Sequence, residues 1–273
     1  SSRRRHTRYG TVTGVQTCAL PISAVVTGGA SGIGLEFVKL LISDNYKVYV
    51  VDNSQENLSK LSSIVNSENF ESILQDLSKT DSPEKLYKIL KNKNVDVLIN
   101  NAGFGTFGKF HKTDWKIEKD MINLHVLNTT HLTKLFLKDM VKKNEGKILN
   151  IASVAAFQPG PLMSLYYATK AYILHFTEAI SNEVKDKNIC ISVLCPGQTK
   201  TNFQKNVSTK KNKIKFNTAC PIKVAKYGYE SLKRNVTVSV PGFWNNFIIF
   251  LGRLLPRSTS TNLVRYIQEK NRD

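Results

Sequence analysis

Tyr166 and Lys170 stand four residues apart in the run SLYYATKAY. On a helix that spacing projects both side chains from one face. A phenol with its ordinary pKa of roughly 10 is a poor base at neutral pH. An ammonium beside it favours the phenolate, so the pair suits taking a proton from an alcohol or returning one to a carbonyl oxygen. Taken alone, a Tyr–Lys pair on a helix is an ordinary structural contact. Its surroundings decide.

A second feature is the run Thr27-Gly28-Gly29-Ala30-Ser31-Gly32-Ile33-Gly34, which follows one apolar stretch and opens a helix-period segment. Glycine lets a backbone turn sharply and approach a pyrophosphate, and the helix N-terminus offers free N–H groups to the anion. The glycines at 28, 32 and 34 do not have the GxGxxG spacing, and no GK[ST] ending marks a nucleotide triphosphate loop. Ser31 and Ile33 lie within the same turn. Asp52 closes the next apolar run, 18 residues after Gly34. A carboxylate there can accept hydrogen bonds from an adenosine ribose and repels a 2′-phosphate. No Arg or Lys occupies 52–57, and Ser31 rather than a base precedes Gly32. NAD(H) is therefore favoured over NADP(H).

These residues need a scaffold, and the alternation of patterns supplies one. Short apolar runs predict strands at 23–27, 47–51, 72–74, 95–100, 146–151, 189–195 and 236–240. Helix-period segments lie between them at about 32–43, 54–65, 82–91, 114–142, 164–186 and 221–233. Asn53 with Glu56 reads as a capping box, and Ser82-Pro83 opens a helix. Near-continuous Val/Ile/Leu strands alternating with helices give an α/β fold, a doubly wound parallel sheet in a single Rossmann-like domain. Its ligand crevice lies beyond the carboxyl ends of the strands.

In this order the motifs resemble the short-chain dehydrogenase/reductase family. They are TGGASGIG, Asn100-Asn101-Ala102-Gly103, Ser153, Tyr166-x-x-x-Lys170, and Pro196-Gly197 followed by Thr201. The resemblance runs from residue 23 to the C-terminus. The stretches NNAGFGTFGKF, AAFQPGPLMSLYYATKAY, LCPGQTKTNF and VPGFWNNFIIFLGRLLP look like a bacterial branch similar to 3-ketoacyl and 17β-hydroxysteroid reductases. The resemblance implies hydride exchange between a nicotinamide and a secondary alcohol or ketone. Tyr166 would be the acid/base, Lys170 would also hold the nicotinamide ribose, and Ser153 would hydrogen-bond the substrate oxygen. It also implies cofactor contacts at Asp76 and Leu77, at Asn100 through Asn101, Ala102 and Gly103, at Ile151, and in the Pro196–Thr201 loop with Gly197 and Thr199. Tyr167, three residues from Lys170, is assigned to packing or to the substrate pocket.

One position departs from the family pattern. An Asn usually supports the Lys from the long helix before the fifth strand, and His125 stands there instead. A histidine can donate and accept, so it could serve the same proton relay. It could equally mark a weak or inactive dinucleotide-binding sensor or scaffold of the same fold.

The totals exclude other classes. The chain has 273 residues, 41% apolar and 22% charged, which suits one large globular domain. Four separate cysteines, Cys18, Cys190, Cys195 and Cys220, suggest reduced buried thiols rather than a metal site or disulfide framework. The net charge is +18, four of it from Arg3, Arg4, Arg5 and Arg8. Residues 1–22 are Arg- and Ser-rich and acid-poor like a transit peptide, but they resemble translated adapter sequence and are set aside from the fold. The remaining lysines are dispersed, without the aromatic interleaving of a nucleic-acid surface. Lys205, Lys210, Lys211, Lys213 and Lys215 fall in an expected substrate flap at 202–220, a solvated loop or a contact for an acyl thioester carrier. The catalytic domain is expected at 23–241, with a helical extension at 242–273. There Trp244, Phe247, Ile248, Leu251, Leu254 and Leu255 form an apolar stripe suited to docking, to a homo-oligomer or to a membrane surface. A cytoplasmic protein, with peripheral membrane association open, is the expected setting.

Overall fold

The computed structural model describes residues 22–201, 203 and 218–272. Residues 1–21 with Cys18, and the flap lysines at 205–215, lie outside the described residues.

Seven parallel strands form one sheet in the order β3-β2-β1-β4-β5-β6-β7. They are β1 (Ser23–Thr27), β2 (Lys47–Asp52), β3 (Phe70–Leu74), β4 (Val95–Asn100), β5 (Gly146–Ile151), β6 (Ile189–Leu194) and β7 (Val238–Ser239). Strand side chains alternate between faces. Val26, Val48 and Val50 therefore pack with Phe37, Val38 and Leu41 of α1 (Gly32–Ser43) and with Val224 and Leu232 of the later helix Pro221–Lys233. On the other face Val25, Val51, Leu98 and Ile148 meet Leu86 and Leu90 of Ser82–Leu90, and Phe136 and Met140 of Thr129–Lys143. Both faces are covered, so the central strands are mostly apolar, with the polar Asn100 and Asn150 buried at their carboxyl ends. The chain reverses its winding direction between β1 and β4, which opens a crevice at their carboxyl ends.

Several expected elements come out differently. The segment 54–65 is two short helices, α2 (Gln55–Ser59) and α3 (Leu61–Val65), and α3 ends at the left-handed Asn66. Its cap is Ser54, whose hydroxyl accepts the Asn57 N–H at 3.2 Å, not Asn53. Helix α4 (Ser82–Leu90) follows the Ser-Pro signal. The long helix 114–142 is α5 (Trp115–Ile122), a π-helical turn at Asn123–Asn128, and α6 (Thr129–Lys143). Thr129 Oγ1 donates to the Leu124 carbonyl at 2.9 Å inside that wider turn. Helix α7 (Ser164–Glu183) carries the Tyr–Lys pair, and α8 is Pro221–Lys233. The strand 236–240 shrinks to β7, because this edge pairs only with β6. The tail forms α9 (Phe243–Leu254) and α10 (Arg257–Arg272). Cys190 and Cys195 are buried free thiols, but Cys220, expected to be buried, is exposed where α8 begins.

Candidate active site

The turn from β1 into α1 is built for close approach. Gly28 and Gly32 have φ of +61° and +56°, the left-handed region that glycine enters without strain. A Cβ on Gly28 would lie 2.9 Å from the Ala102 Cα, so the loop packs directly on the chain leaving β4. Asn101 fixes that junction: its Nδ2 donates to the Thr27 and Gly28 carbonyls at 3.0 and 2.9 Å. Thr27 Oγ1 in turn accepts the N–H groups of Asn101 and Ala102. No side chain caps α1 at Ser31, which leaves its first-turn N–H groups for a ligand anion.

The crevice over this turn has a volume of about 1240 Å³. Gly28, Ser31, Gly32, Ile33, Asp52, Asp76, Leu77, Asn101, Ala102, Gly103, Ile151, Pro196, Gly197, Thr199 and Thr201 all line it. Gly34 supports the loop from behind instead of lining it. Asn100, expected on the wall, is buried in the sheet. Its Nδ2 donates to Asn150 Oδ1 at 2.9 Å and to Thr133 Oγ1 at 3.0 Å. Asn150 continues the chain to Thr177 on α7. This polar ladder ties β4 and β5 to the helices that position the site.

Two carboxylates sit at strand ends. Asp52 accepts the N–H groups of Ala30 and Ser54 at 3.1 and 3.0 Å, which spans the glycine turn and the next loop. Asp76 accepts the Ser78 N–H at 2.9 Å. Burial works to raise the Asp76 pKa, but the Ser78 and Lys79 hydrogen bonds outweigh it and hold the carboxyl below its ordinary range. Both are placed to receive hydroxyl or amine donors from an adenosine. Together with the open helix N-terminus and the glycine cradle, they fit a dinucleotide.

Tyr166, Lys170 and Ser153 line the same crevice. Lys170 is buried and donates to the Ile151 carbonyl at 2.8 Å. Its Nζ lies 5.8 Å from the centre of the Tyr166 ring. Burial pushes its pKa down to about 8, against a weaker opposing influence of Cys195, so it remains mainly ammonium at neutral pH. Ser153 Oγ accepts the Ala155 N–H at 3.1 Å and reaches the Pro196 carbonyl at 3.4 Å. The Tyr166 ring is flanked by Phe203, 5.5 Å away between centroids, and by Tyr167.

His125 is fully buried, and it does not line the crevice. Its Nε2 faces the Phe104 N–H at 3.2 Å, and its Nδ1 faces Thr169 Oγ1 at 2.9 Å. A backbone N–H can only donate, so Nε2 is the acceptor and the proton sits on Nδ1. Thr169 Oγ1 in turn donates a hydrogen bond to the Tyr166 carbonyl at 2.9 Å. The imidazole thus bridges the loop after β4 to the turn of α7 that carries Tyr166. Burial, then the Lys170 charge, hold its pKa well below 6.5. Both ring nitrogens are hydrogen-bonded within the protein, to the Phe104 backbone and to Thr169.

A pH dependence follows. The unfolded imidazole protonates near pH 6.5 and the folded one resists, so the unfolded state binds the extra proton. Stability contributed by His125 is therefore complete above about pH 6.5 and is lost as pH falls below it. Urea denaturation at pH 7.5 and pH 5.5 should show this loss for the wild type and a smaller one for His125→Leu. At pH 7.5 His125→Leu should itself cost about 1–3 kcal/mol, because the Phe104 N–H loses its acceptor.

The far wall joins Trp244 and Ile248 of the expected apolar stripe to residues that local patterns do not single out. Trp244, Asn245, Ile248 and Ile249 of α9 and Ile267 and Gln268 of α10 line the crevice with Met163 and Tyr167. Gln268 Nε2 donates to the Tyr167 hydroxyl at 2.8 Å and latches α10 to α7.

Comparison with known proteins agrees with this architecture. The family model described as short chain dehydrogenase matches residues 23–212. The very-long-chain 3-oxoacyl-CoA reductase of Bos taurus is 32% identical over 191 residues, 67% of this chain and 61% of that protein. The chain thus spans less than two thirds of that relative. The 3-oxoacyl-[acyl-carrier-protein] reductase of Buchnera aphidicola is 30% identical over 68% of this chain and 77% of its own length. A solved 7beta-hydroxysteroid dehydrogenase superposes with a TM-score of 0.79 at 18% identity, covering 90% of this chain and 96% of that one. A short-chain dehydrogenase from Sphingobium yanoikuyae in complex with NADPH gives 0.76 at 22% identity, over 85% and 94%. The chain therefore belongs to the short-chain dehydrogenase family.

Proposed function

We propose that this protein reduces the ketone of 3-oxoacyl thioesters, with Tyr166 as the proton donor. The observation that carries the reading is the pairing of Tyr166 with the buried Lys170 ammonium in the crevice that begins at the glycine turn. A bound reduced nicotinamide would supply the hydride to the carbonyl carbon. Tyr166 gives its proton to the carbonyl oxygen, and Ser153 donates a hydrogen bond to the same oxygen as charge gathers there. Lys170 stabilises the phenolate left behind. It spends one N–H on the Ile151 carbonyl and keeps its other two donors for the crevice and a ribose.

The substrate class rests on the apolar arm between Met163, Tyr167 and the α9–α10 wall, and on the names of the 3-oxoacyl reductases the chain is similar to. An acyl chain buries about 0.8 kcal/mol per methylene. With 3-oxoacyl thioesters of increasing length, kcat/KM should therefore rise roughly two- to fourfold per methylene until the arm is full. Reduction of ketosteroids with no turnover of any thioester would overturn the assignment.

The cofactor reading is NAD(H), resting on Asp52 and the lack of a base at 52–57. Asp52→Ala removes the charge that repels a 2′-phosphate. The NADH/NADPH ratio of dissociation constants should shift toward NADPH by about tenfold or more. An unchanged ratio would remove Asp52 from the choice.

A further inference from the structure

Helix α9 reads FWNNFIIFLGRL, and only a narrow stripe of it faces the protein. Asn245, Ile249 and Gly252, at helical spacing, are partly buried, and Ile249 packs on the cluster beside β6. Most of the remaining girth is apolar and in solvent. Phe243 is 76% exposed, Trp244 66% and Leu254 67%, with Phe247, Phe250 and Leu251 exposed beside them. The rings of Phe243, Trp244 and Phe247 form one ridge, Phe243 and Phe247 stacked and Trp244 edge-on to both, with centroids 5.8–6.3 Å apart. A surface helix of a freely soluble domain puts charge on that face. A contiguous apolar ridge marks an interaction surface.

Length and charge select the occupant. Twelve residues rise about 18 Å, short of the roughly 30 Å hydrocarbon layer, and no described helix is long and apolar enough to cross a membrane. The charge of α9 and α10 is basic: residues 243–270 hold Arg253, Arg257, Arg265 and Lys270 against Glu269, which pairs with Arg265, in a chain of net charge +18. A two-fold contact with a second copy would bring this basic segment against itself with almost no acid to balance it. An anionic lipid surface complements both the ridge and its charge.

We propose that α9 lies in the plane of an anionic bilayer, with Phe243, Phe247, Phe250 and Leu254 in the acyl region and Arg253 and Arg257 at the phosphates. Trp244 and Ile248, on the flank of the same helix, line the crevice, so its apolar arm opens beside the lipid. An apolar substrate then enters from the bilayer. Docking is measured without turnover, so it stands or fails independently of the substrate proposed above.

The test is co-sedimentation of the chain with phosphatidylcholine vesicles, alone or mixed with phosphatidylglycerol. Binding should be about tenfold or more tighter to the mixed vesicles at low salt and should weaken as salt rises. Phe243→Glu/Phe250→Glu/Leu254→Glu should lose vesicle binding at least about tenfold, since each charge would enter hydrocarbon. It should keep dinucleotide affinity and reduction of a water-soluble ketone, because none of the three lines the crevice. If that variant fails to fold, Arg253→Glu/Arg257→Glu should abolish the preference for anionic vesicles. Wild-type protein that stays in solution with both vesicle types overturns the proposal. So does a dimer that the triple variant dissociates while neither protein binds lipid.

Discussion

Tyr166→Phe is expected to lower kcat for carbonyl reduction by about a thousandfold while leaving the dinucleotide dissociation constant within about twofold. The change deletes one oxygen. The ring still packs among Phe203, Tyr167 and His125, so the wall keeps its shape. Only the proton delivered to the carbonyl oxygen is lost. Steady-state rates with a 3-oxoacyl thioester, paired with cofactor binding followed by nicotinamide fluorescence, separate the two effects. Tyr167→Phe is the internal control. It removes the acceptor of Gln268 but leaves the Tyr166–Lys170 pair intact, so its kcat should change by only a few-fold. A larger loss in Tyr167→Phe than in Tyr166→Phe would reverse the assignment.

Gly34→Ala should weaken dinucleotide binding by about 10- to 100-fold and destabilise the fold, through sterics alone. A Cβ there would stand 2.1 Å from the Gly28 carbonyl oxygen and 2.5 Å from Asn101 Nδ2. Those two atoms hydrogen-bond each other at 2.9 Å and hold the glycine turn against β4, so neither can retreat without breaking the turn. Gly252→Ala in α9 is the contrast, because its Cβ would meet only Gln158 Oε1 at 3.8 Å. That substitution should be neutral or stabilise by up to about 1 kcal/mol through helix propensity. Isothermal titration with cofactor and thermal melts of both variants check the pair.

How much of this could be read from the chain depends on the range of the contacts involved. The strands were legible because Ser23–Thr27, Val95–Asn100 and Gly146–Ile151 are buried on both faces along most of their length, so apolar residues dominate their centres. The glycine turn was legible because its chemistry is local. The π-helical turn was not, since the apolar spacing through 114–142 is that of an unbroken helix. Two buried polar residues of that turn, His125 and Asn128, make long-range hydrogen bonds. His125 reaches Phe104 and Thr169, and Asn128 donates to the Leu77 and Lys79 carbonyls at 2.6 and 2.7 Å. The break at Lys60 and the shortening of β7 likewise reflect tertiary context over local propensity. The apolar stripe of α9, with Trp244 and Ile248, was legible as a docking surface, but its place on the crevice wall and the part played by α10 were not. Gln268 meets Tyr167 across 101 residues of sequence, and no local period records that contact.

The central claim is that one crevice brings a nicotinamide and the Tyr166 hydroxyl to the same carbonyl. Its most direct test is a turnover of a 3-oxoacyl thioester with reduced cofactor deuterated at both C4 positions, followed by mass analysis of the alcohol. One deuterium on the carbinol carbon of the 3-hydroxyacyl product is the expected result. An alcohol formed without label, or no alcohol from any thioester or ketone under conditions where the cofactor binds, would contradict it.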